Sequence, residues 1–165
     1  MALARIGIGS NAGDSRATIA RAIAALSKLG AVTARSALYR SKPWGKAEQP
    51  DFINAAVLLE TALSPRNLLS ALKTLETQLG RRQTYRWGPR EIDLDILAYD
   101  DLCLCDPELT LPHPHLFKRA FALVPLAEID AHYVAFRDAL SPRALAEVTA
   151  VRGSPAIPDG TANSP

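Results

Sequence analysis

Cysteine is nearly absent from this sequence, in which only Cys103 and Cys105 occur among 165 residues. Two thiols so close together in the chain cannot link distant parts of a fold, so we do not expect a disulfide scaffold. Long apolar runs are also missing: no stretch approaches the roughly eighteen residues that a membrane span requires. The N-terminal segment has one arginine, Arg5, but no long apolar run with a small-residue cleavage site, as a secretory signal would have. We therefore expect a cytoplasmic protein.

The chain also has little net charge, since its formal value at pH 7 is only +2. This balance argues against a protein whose whole surface binds nucleic acid, although a local basic cluster can still occur. The content of 48% hydrophobic and 22% charged residues is ordinary for a globular chain. We expect one domain at residues 1–151 and a disordered tail at residues 152–165, which is rich in Gly, Ser, Pro and Ala.

The common nucleotide-binding signatures are missing as well. The sequence has no Gly-x-x-x-x-Gly-Lys-Ser/Thr phosphate loop and no protein-kinase signature. The run Gly7-Ile8-Gly9-Ser10-Asn11-Ala12 superficially matches the glycine pattern of dinucleotide-binding folds. However, no acidic residue follows about twenty positions later, and the repeated βαβ units of those folds are not predicted. Side chains and a metal ion must therefore hold any triphosphate.

The hydrophobic pattern predicts a mixture of strands and helices. Strands are predicted at 4–10, 31–39, 52–63 and 91–99, with a hairpin partner for the last at 102–104. One helix is predicted to begin after the N-cap Asp14 and to end at residue 29, before Gly30. A second is predicted to begin after Ser64 and to end at about residue 79, before Gly80. Further helices are predicted at 116–129, with an interruption at Pro125, and at 142–151.

The order of these elements indicates the fold class. Two strands follow one another without an intervening helix, which favours a mostly antiparallel sheet over a parallel one. We predict an α+β, ferredoxin-like βαββαβ sandwich with flanking helices and an extra C-terminal hairpin and helix.

One predicted strand, at residues 91–97, carries closely spaced acids. Side chains alternate along a strand, so Asp93 and Asp95 point to one side while Leu94 and Ile96 point to the other. Carboxylates roughly 6.6 Å apart repel each other. Magnesium would relieve this repulsion, because it takes one or two carboxylates and completes its shell with waters and substrate phosphates. Pairing with arginines, or exposure of this face to water, is the alternative.

A basic loop runs directly into this strand. It contains Arg81, Arg82, Arg86 and Arg90, together with Trp87. Guanidinium groups bind phosphate in a bidentate manner, so the loop is suited to closing over a polyphosphate and neutralising its charge. Internal salt bridges between these arginines and the aspartates are the alternative.

A proline-stiffened segment, Pro112-His113-Pro114, precedes a predicted helix that carries Lys118 and Arg119 near its start. Backbone amides and cations at such a position can bind an anion. His113 and His115 are two residues apart, but no further cluster of histidine or cysteine supports a transition-metal site. An ordinary surface histidine is the alternative to a phosphate contact.

Four segments together carry a more specific signal than any single motif. They are Gly9-Ser10-Asn11, Phe52-Ile53-Asn54-Ala55-Ala56-Val57, Arg86-Trp87-Gly88-Pro89-Arg90-Glu91-Ile92-Asp93-Leu94-Asp95 and Pro112-His113. In this order they resemble the 6-hydroxymethyl-7,8-dihydropterin pyrophosphokinases of folate biosynthesis, over roughly residues 4 to 130. The resemblance implies transfer of the β,γ-pyrophosphoryl unit of ATP to the hydroxymethyl oxygen of the pterin, with release of AMP and with two magnesium ions. We expect a monomer that binds these small molecules and neither nucleic acid nor membrane.

The resemblance also implies roles for individual residues. Asp93 and Asp95 match the metal ligands and, together with Arg81 and Arg90, the catalytic residues. The positions that match ATP-binding residues are Glu76, Arg82, Ile96, Thr110, His113 and Arg119. The positions that match the pterin pocket are Ser41, Pro43, Trp44, Phe52, Asn54, Trp87 and Phe121. A flat heteroaromatic ring suits such an apolar slot.

Three positions depart from the family pattern. Ser41 stands where threonine is usual, Gln83 where a second loop arginine is common, and Pro114 where an aromatic residue often follows the histidine. If Arg82 does not take over from Gln83, we expect slower transfer or weaker loop closure.

Two other functions compete with this interpretation. A ferredoxin-like sheet with basic loops can stack RNA bases, but the aromatic-rich strand motif of such modules is missing here, and paired aspartates repel a phosphate backbone. A protein that binds pterin without catalysis is the third possibility, and it would release no AMP.

Overall fold

The computed structural model describes residues 1–43, 48–81 and 91–151. These residues form eight strands and five α-helices. The strands are β1 (Ala2–Ser10), β2 (Ala31–Arg35), β3 (Tyr39–Ser41), β4 (Phe52–Thr61), β5 (Asp93–Tyr99), β6 (Leu104–Cys105), β7 (Thr110–Leu111) and β8 (Val148–Ala150). The helices are α1 (Ser15–Leu26), α2 (Pro65–Gln78), α3 (Ala120–Ile129), α4 (Val134–Asp138) and α5 (Pro142–Ala146), with short 3-10 helices at Leu116–Lys118 and Ala131–Tyr133.

Six of these strands form the central sheet. Their order is β5-β1-β4-β3-β8, and β2 also pairs with β4, so that β2 and β3 together occupy one strand position. Every strand pair in the described part of the chain is antiparallel. Without β8, this is the order of a ferredoxin-like βαββαβ sheet, which confirms the predicted fold class.

Alternation along the strands gives the sheet two apolar faces. One face, which includes Ile6, Val57 and Leu94, packs against α1 and α2. The other face is smaller and packs against α3 through residues such as Ala56 and Leu97. The glycines of β1 and the acids of β5 belong to this second face, because they alternate with the buried residues of the first.

The predicted ends of the first two helices are mostly confirmed. Asp14 and Ser64 accept hydrogen bonds from the backbone N–H groups of Ala17 and Asn67, as N-caps do. Gly80 follows α2 with a φ of +98°, a conformation that favours glycine. The prediction for Gly30 was wrong, because α1 already ends at Leu26. A glycine is needed at position 30 for another reason: a Cβ there would lie 2.0 Å from the carbonyl oxygen of Glu60.

The predicted strand at 31–39 was wrong in one respect, because it is broken at residues 36–38. Ser36 is buried, and its hydroxyl accepts a hydrogen bond from the backbone N–H of Ala56 at 2.9 Å and donates one to the carbonyl of Ala37 at 2.7 Å. These side-chain bonds replace part of the ladder between the strands. The chain then resumes pairing with β4 as β3.

The C-terminal half contains three further corrections. Residues 102–104 do not pair with β5; the hairpin that follows is formed by β6 and β7 in a separate small sheet. Pro125 lies inside α3 and does not interrupt it, and α3 begins at Ala120, after a 3-10 turn. The last predicted helix ends at Ala146, and the chain continues as β8 beside β3. The predicted tail at 152–165 lies outside the described residues.

Candidate active site

A cavity of about 420 Å³ opens on the face of the sheet that α3 covers. The sheet contributes residues from four neighbouring strands, β1, β3, β4 and β5. The segment before α3 and the first turn of α3 contribute the opposite wall. The predicted site residues that line this cavity are Ser41, Phe52, Asn54, Asp93, Asp95, His113, Arg119 and Phe121.

The floor of the cavity is formed by Gly7 and Gly9 of β1. A Cβ at Gly7 would lie 3.2 Å from Leu97 Cδ1, and one at Gly9 would lie 3.5 Å from Asn54 Oδ1. The sequence reading rejected these glycines as a dinucleotide motif, and the antiparallel sheet supports that rejection. Their role as cavity floor was missed, although glycine inside a strand is a recognised sign of close approach by a ligand or another backbone.

The acidic wall is formed by Asp93 and Asp95 on β5. They lie opposite Gly9 and Gly7 of β1, respectively, and both line the cavity. Leu94 is buried on the other side of the strand, as the alternation predicted. The two carboxylates therefore face one space.

A partly buried ion pair lies behind the acidic wall. Glu76 of α2 accepts a hydrogen bond from Arg81 Nη1 at 2.5 Å and another from the backbone N–H of Leu94 at 3.0 Å. Arg81 Nη1 also lies 3.5 Å from Asp93 Oδ1. Burial raises the pKa of Glu76, while the Leu94 N–H and Arg81 oppose that shift. Arg81 thus forms the internal salt bridges that were the alternative to phosphate binding, and Glu76 is a buried residue.

His113 faces the acidic wall from the other side of the cavity. Its backbone N–H donates to the carbonyl of Leu97 at 2.8 Å, and its Nδ1 accepts from the backbone N–H of His115 at 3.3 Å. Burial, followed by Arg119 and His115, lowers the pKa of His113 to about 4. The ring is therefore neutral at physiological pH, and because Nδ1 accepts, its proton is on Nε2. His113 offers a ligand a neutral hydrogen-bond donor.

Arg119 supplies the positive charge of this wall. Its guanidinium carbon lies 5.4 Å from the centroid of the Phe121 ring. Burial lowers the pKa of Arg119, whereas Asp95 and Asp93 raise it. An arginine in this position remains charged, because its pKa starts so far above neutrality.

The remaining end of the cavity has few charges and is held by hydrogen bonds. Asn54 and Ser41 are only 4% and 5% exposed. Asn54 Nδ2 donates to Ser41 Oγ at 2.8 Å and to the carbonyl of Tyr39 at 3.3 Å. Phe52 and Phe121 add aromatic surface to the same space. This arrangement suits a flat ligand with a polar edge.

A second cavity of about 260 Å³ adjoins the first and shares Asp95, His113 and Pro114 with it. The predicted ATP-binding residues Ile96 and Thr110 line it. It also contains residues that sequence reasoning missed, namely Leu69, Asp106, Glu108 and Leu109. No motif marks these positions, since the turn between β6 and β7 meets Leu69 of α2 only in the folded chain. Asp106 forms an ion pair with Arg66 at this rim.

The other predicted site residues fall into two groups. Glu76, Arg81 and Pro43 are described but do not line either cavity, although Arg81 reaches Asp93. Trp44, Arg82, Gln83, Trp87 and Arg90 lie outside the described residues. Lys42 and His115 line the first cavity and were not predicted to do so.

In 1–43, 48–81 and 91–151, no group of three or more His, Cys, Asp or Glu side chains is placed to hold a metal ion. Within the same ranges, no helix has both the length and the apolar character needed to span a bilayer. Cys103 and Cys105 are free thiols at the surface.

Comparisons with known proteins agree with this geometry. A family model described as 7,8-dihydro-6-hydroxymethylpterin-pyrophosphokinase (HPPK) matches residues 5–131. The chain is 48% identical over 131 residues to the 2-amino-4-hydroxy-6-hydroxymethyldihydropteridine pyrophosphokinase of Methylorubrum extorquens, covering 78% of this chain and 83% of that one. It is 40% identical over 134 residues to the enzyme of the same name from Aquifex aeolicus, covering 81% of this chain and 84% of the other.

Solved structures share the fold. A crystal structure described as HPPK-DHPS in complex with substrates superposes with a TM-score of 0.61 at 14% identity, covering 78% of this chain and 40% of that one. Wild-type HPPK-DHPS of Plasmodium falciparum with pteroate gives a TM-score of 0.60 at 16% identity, covering 76% of this chain and 38% of the other. The chain spans about two fifths of these longer proteins, and at this identity the likeness concerns the fold alone.

Proposed function

The chain belongs to the 7,8-dihydro-6-hydroxymethylpterin-pyrophosphokinase family, and we propose that it transfers the pyrophosphoryl unit of ATP to 6-hydroxymethyl-7,8-dihydropterin in a magnesium-dependent reaction of folate biosynthesis. The products are the pterin diphosphate and AMP. The observation that carries this proposal is the pair of adjoining cavities, which meet at Asp95 and His113. A reaction that joins two different substrates needs such a junction.

The first cavity suits the pterin. Its hydrogen-bonded end offers the buried Asn54 and Ser41 for the polar edge of the ring, and Phe52 and Phe121 for its faces. Aromatic surfaces of this kind favour a flat heterocycle. The hydroxymethyl group then points toward the acidic wall, since that wall forms the other end of the same cavity.

The second cavity suits the nucleoside of ATP. Ile96, Leu69 and Leu109 give it apolar surface, and Thr110 adds a polar group. A nucleoside there places the triphosphate at the shared residues Asp95 and His113. Arg119 and the neutral, donating His113 are suited to binding its phosphate oxygens.

The acidic wall fits magnesium. Two carboxylates on one side of a strand repel each other, and Mg²⁺ typically takes one or two carboxylates and completes its shell with waters and phosphates. Asp93 and Asp95 are the residues that would hold it. When bound, magnesium supplies positive charge to the phosphate oxygens of ATP.

The side chains act by positioning and by charge neutralisation. The hydroxymethyl oxygen forms a bond to the β-phosphorus, the bond between that phosphorus and the oxygen of AMP breaks, and the hydroxyl proton is lost to solvent. Arg119 neutralises charge that develops on the moving group, and Arg81 joins it when released from Glu76. We expect no covalent enzyme intermediate. The expected roles of Arg90, Arg82 and Trp87 remain predictions from the family resemblance.

Product analysis tests the proposal. The protein is incubated with ATP, magnesium and 6-hydroxymethyl-7,8-dihydropterin, and nucleotides are separated by chromatography. We expect AMP and pterin diphosphate in equal amounts, and neither product when EDTA replaces magnesium. Formation of ADP, or of AMP without pterin diphosphate, would contradict the proposed reaction.

A further inference from the structure

The cavity wall that carries Ser41 is tied to α3 as well as to the sheet. β3 is only 3 residues long, and the preceding residues 36–38 belong to no strand. Glu128 of α3 holds this segment at two points: the backbone N–H of Ala37 donates to its Oε2 at 2.7 Å, and the hydroxyl of Tyr39 donates to its Oε1 at 2.7 Å. One carboxylate therefore fixes the position of β3 relative to the helix that carries Phe121.

This anchoring reaches the cavity through the main chain of Tyr39. Tyr39 lies opposite Asn54 in the ladder between β3 and β4, and its carbonyl accepts a hydrogen bond from Asn54 Nδ2. Because a carbonyl only accepts, the amide nitrogen of Asn54 must face β3. The second amide proton is directed to Ser41 Oγ. Asn54 Oδ1 then points over Gly9, where it lies 3.5 Å from the place of a Cβ.

We infer that Glu128 and Tyr39 are positioning residues for pterin recognition. Glu128 fixes Tyr39, the carbonyl of Tyr39 orients the amide of Asn54, and Asn54 thereby presents an oxygen that accepts a hydrogen bond from an N–H group of the pterin. Neither Glu128 nor Tyr39 lines either of the two cavities described above, so both act through Asn54 and Ser41. The inference rests on the proposed function, because it takes the pterin as the ligand of the first cavity.

The surroundings of Glu128 and Tyr39 indicate that removing their hydrogen bond changes the local position of β3 more than the overall stability of the fold. Burial and the neighbouring Glu128 raise the pKa of Tyr39, so its hydroxyl keeps the proton that it donates. Glu128 lies at the surface, and hydrogen bonds at exposed positions contribute little to overall stability. Their removal should alter how β3 is placed while leaving the core intact.

Two variants test the inference in the full-length chain. Tyr39→Phe removes one hydrogen bond, and Glu128→Gln keeps the shape of the side chain while it removes the charge. For each we expect pterin binding, measured by fluorescence without nucleotide or metal, to weaken roughly three- to tenfold. We expect kcat and the KM for ATP to stay within about twofold of the wild type. Since the two residues act as one unit, the double variant should bind pterin about as well as the weaker single variant.

Matched controls come from the same chain. Tyr99→Phe also removes a tyrosine hydroxyl that donates to a carbonyl, that of Leu63 at 2.6 Å, at a position that lines neither cavity. Glu60→Gln changes an exposed glutamate on β4. Both should leave pterin affinity unchanged, even where thermal denaturation shows that Tyr99→Phe lowers stability.

The outcomes separate this inference from the proposed function. If the wild type binds pterin and releases AMP while Tyr39→Phe binds pterin normally, the positioning role is wrong and the function stands. An equal rise in the KM values for pterin and ATP, or an equal effect of Tyr99→Phe, would also overturn it. If the wild type forms no AMP from ATP in the presence of magnesium and the pterin, the proposed function fails and the inference fails with it. Should Glu128→Gln not fold, Tyr39→Phe decides.

Discussion

The acidic end and the hydrogen-bonded end of the first cavity hold their side chains in different ways. Asp93 at the acidic end shares the guanidinium of Arg81 with Glu76. At the other end, Asn54 has both amide protons directed to protein acceptors. The first arrangement is a set of charges that a ligand or cation can rearrange, whereas the second is a fixed pattern of neutral groups.

This difference fits the two tasks of a pyrophosphokinase. Charge moves during the transfer of a phosphoryl group, so the groups around it must respond to charge. A pterin is recognised by its shape and its hydrogen-bonding edge, and preorganised neutral groups serve that purpose at little entropic cost. Substitutions at the two ends should therefore affect different steps of the reaction.

Asp95→Asn tests the acidic end and should have the largest effect. The variant keeps the size of the side chain and loses the charge that we propose holds magnesium, so AMP formation should fall on the order of 1,000-fold. Pterin affinity without nucleotide should change less than about twofold. Asp138→Asn on α4 is the matched control, because Asp138 lies away from both cavities. A variant with near wild-type turnover in magnesium would refute the role of Asp95.

Asn54→Ala tests the neutral end and should have a smaller effect on turnover. It removes the oxygen that we propose accepts from the pterin and leaves Ser41 Oγ and the Tyr39 carbonyl without their donor, so pterin affinity should fall roughly 10- to 100-fold. The KM for ATP and the rate at saturating pterin should change much less. Isothermal titration measures the pterin affinity, and steady-state kinetics measure the KM and the rate. A loss confined to kcat would show that the two ends do not divide the work as proposed.

His113→Gln concerns the free energy of unfolding, and its expected effect is the smallest of the three when all are expressed as free energies. The pKa of His113 is about 4 in the folded chain, against an ordinary value of 6.5. Between these two pH values the unfolded chain takes up a proton that the folded chain does not, so the free energy of unfolding falls as the pH falls. Removing the imidazole should reduce this fall by about 1 to 2 kcal/mol, as measured by urea denaturation at both ends of the interval.

The third histidine provides the comparison for that experiment. His132 lies in the 3-10 turn after α3 and lines neither cavity. His132→Gln is measured by the same urea denaturation at both pH values. An equal change in both variants would mean that the site of His113 is not responsible.

Local signals predicted much of the fold. Ser64 followed by Pro65 marked the start of α2, and Gly80 marked its end, because capping and positive φ are properties of single residues. The end of α1 was missed since Gly30 owes its place to the backbone of Glu60, a contact between distant residues. The pairing of β8 with β3 was missed for the same reason.

The site was predictable in part. Alternation alone placed Asp93 and Asp95 on one side of a strand, and family resemblance connected them with His113 and Arg119, which the structure places around the same cavity. The hydrogen bond between Glu128 and Tyr39 joins residues 89 positions apart, and no local pattern indicates it. What sequence reasoning misses here is the set of contacts that hold the site residues in place.

The last strand has a consequence for how copies of the chain behave at high concentration. β8 pairs with β3 through Val148–Ser41, Thr149–Arg40 and Ala150–Tyr39, so the main chain of β3 is bonded on both sides. A sheet margin with open N–H and C=O groups is a template for aggregation. Among the described residues, β8 ends the sheet with a margin only 3 residues long, so β3, which carries Ser41, does not present an open edge to another molecule.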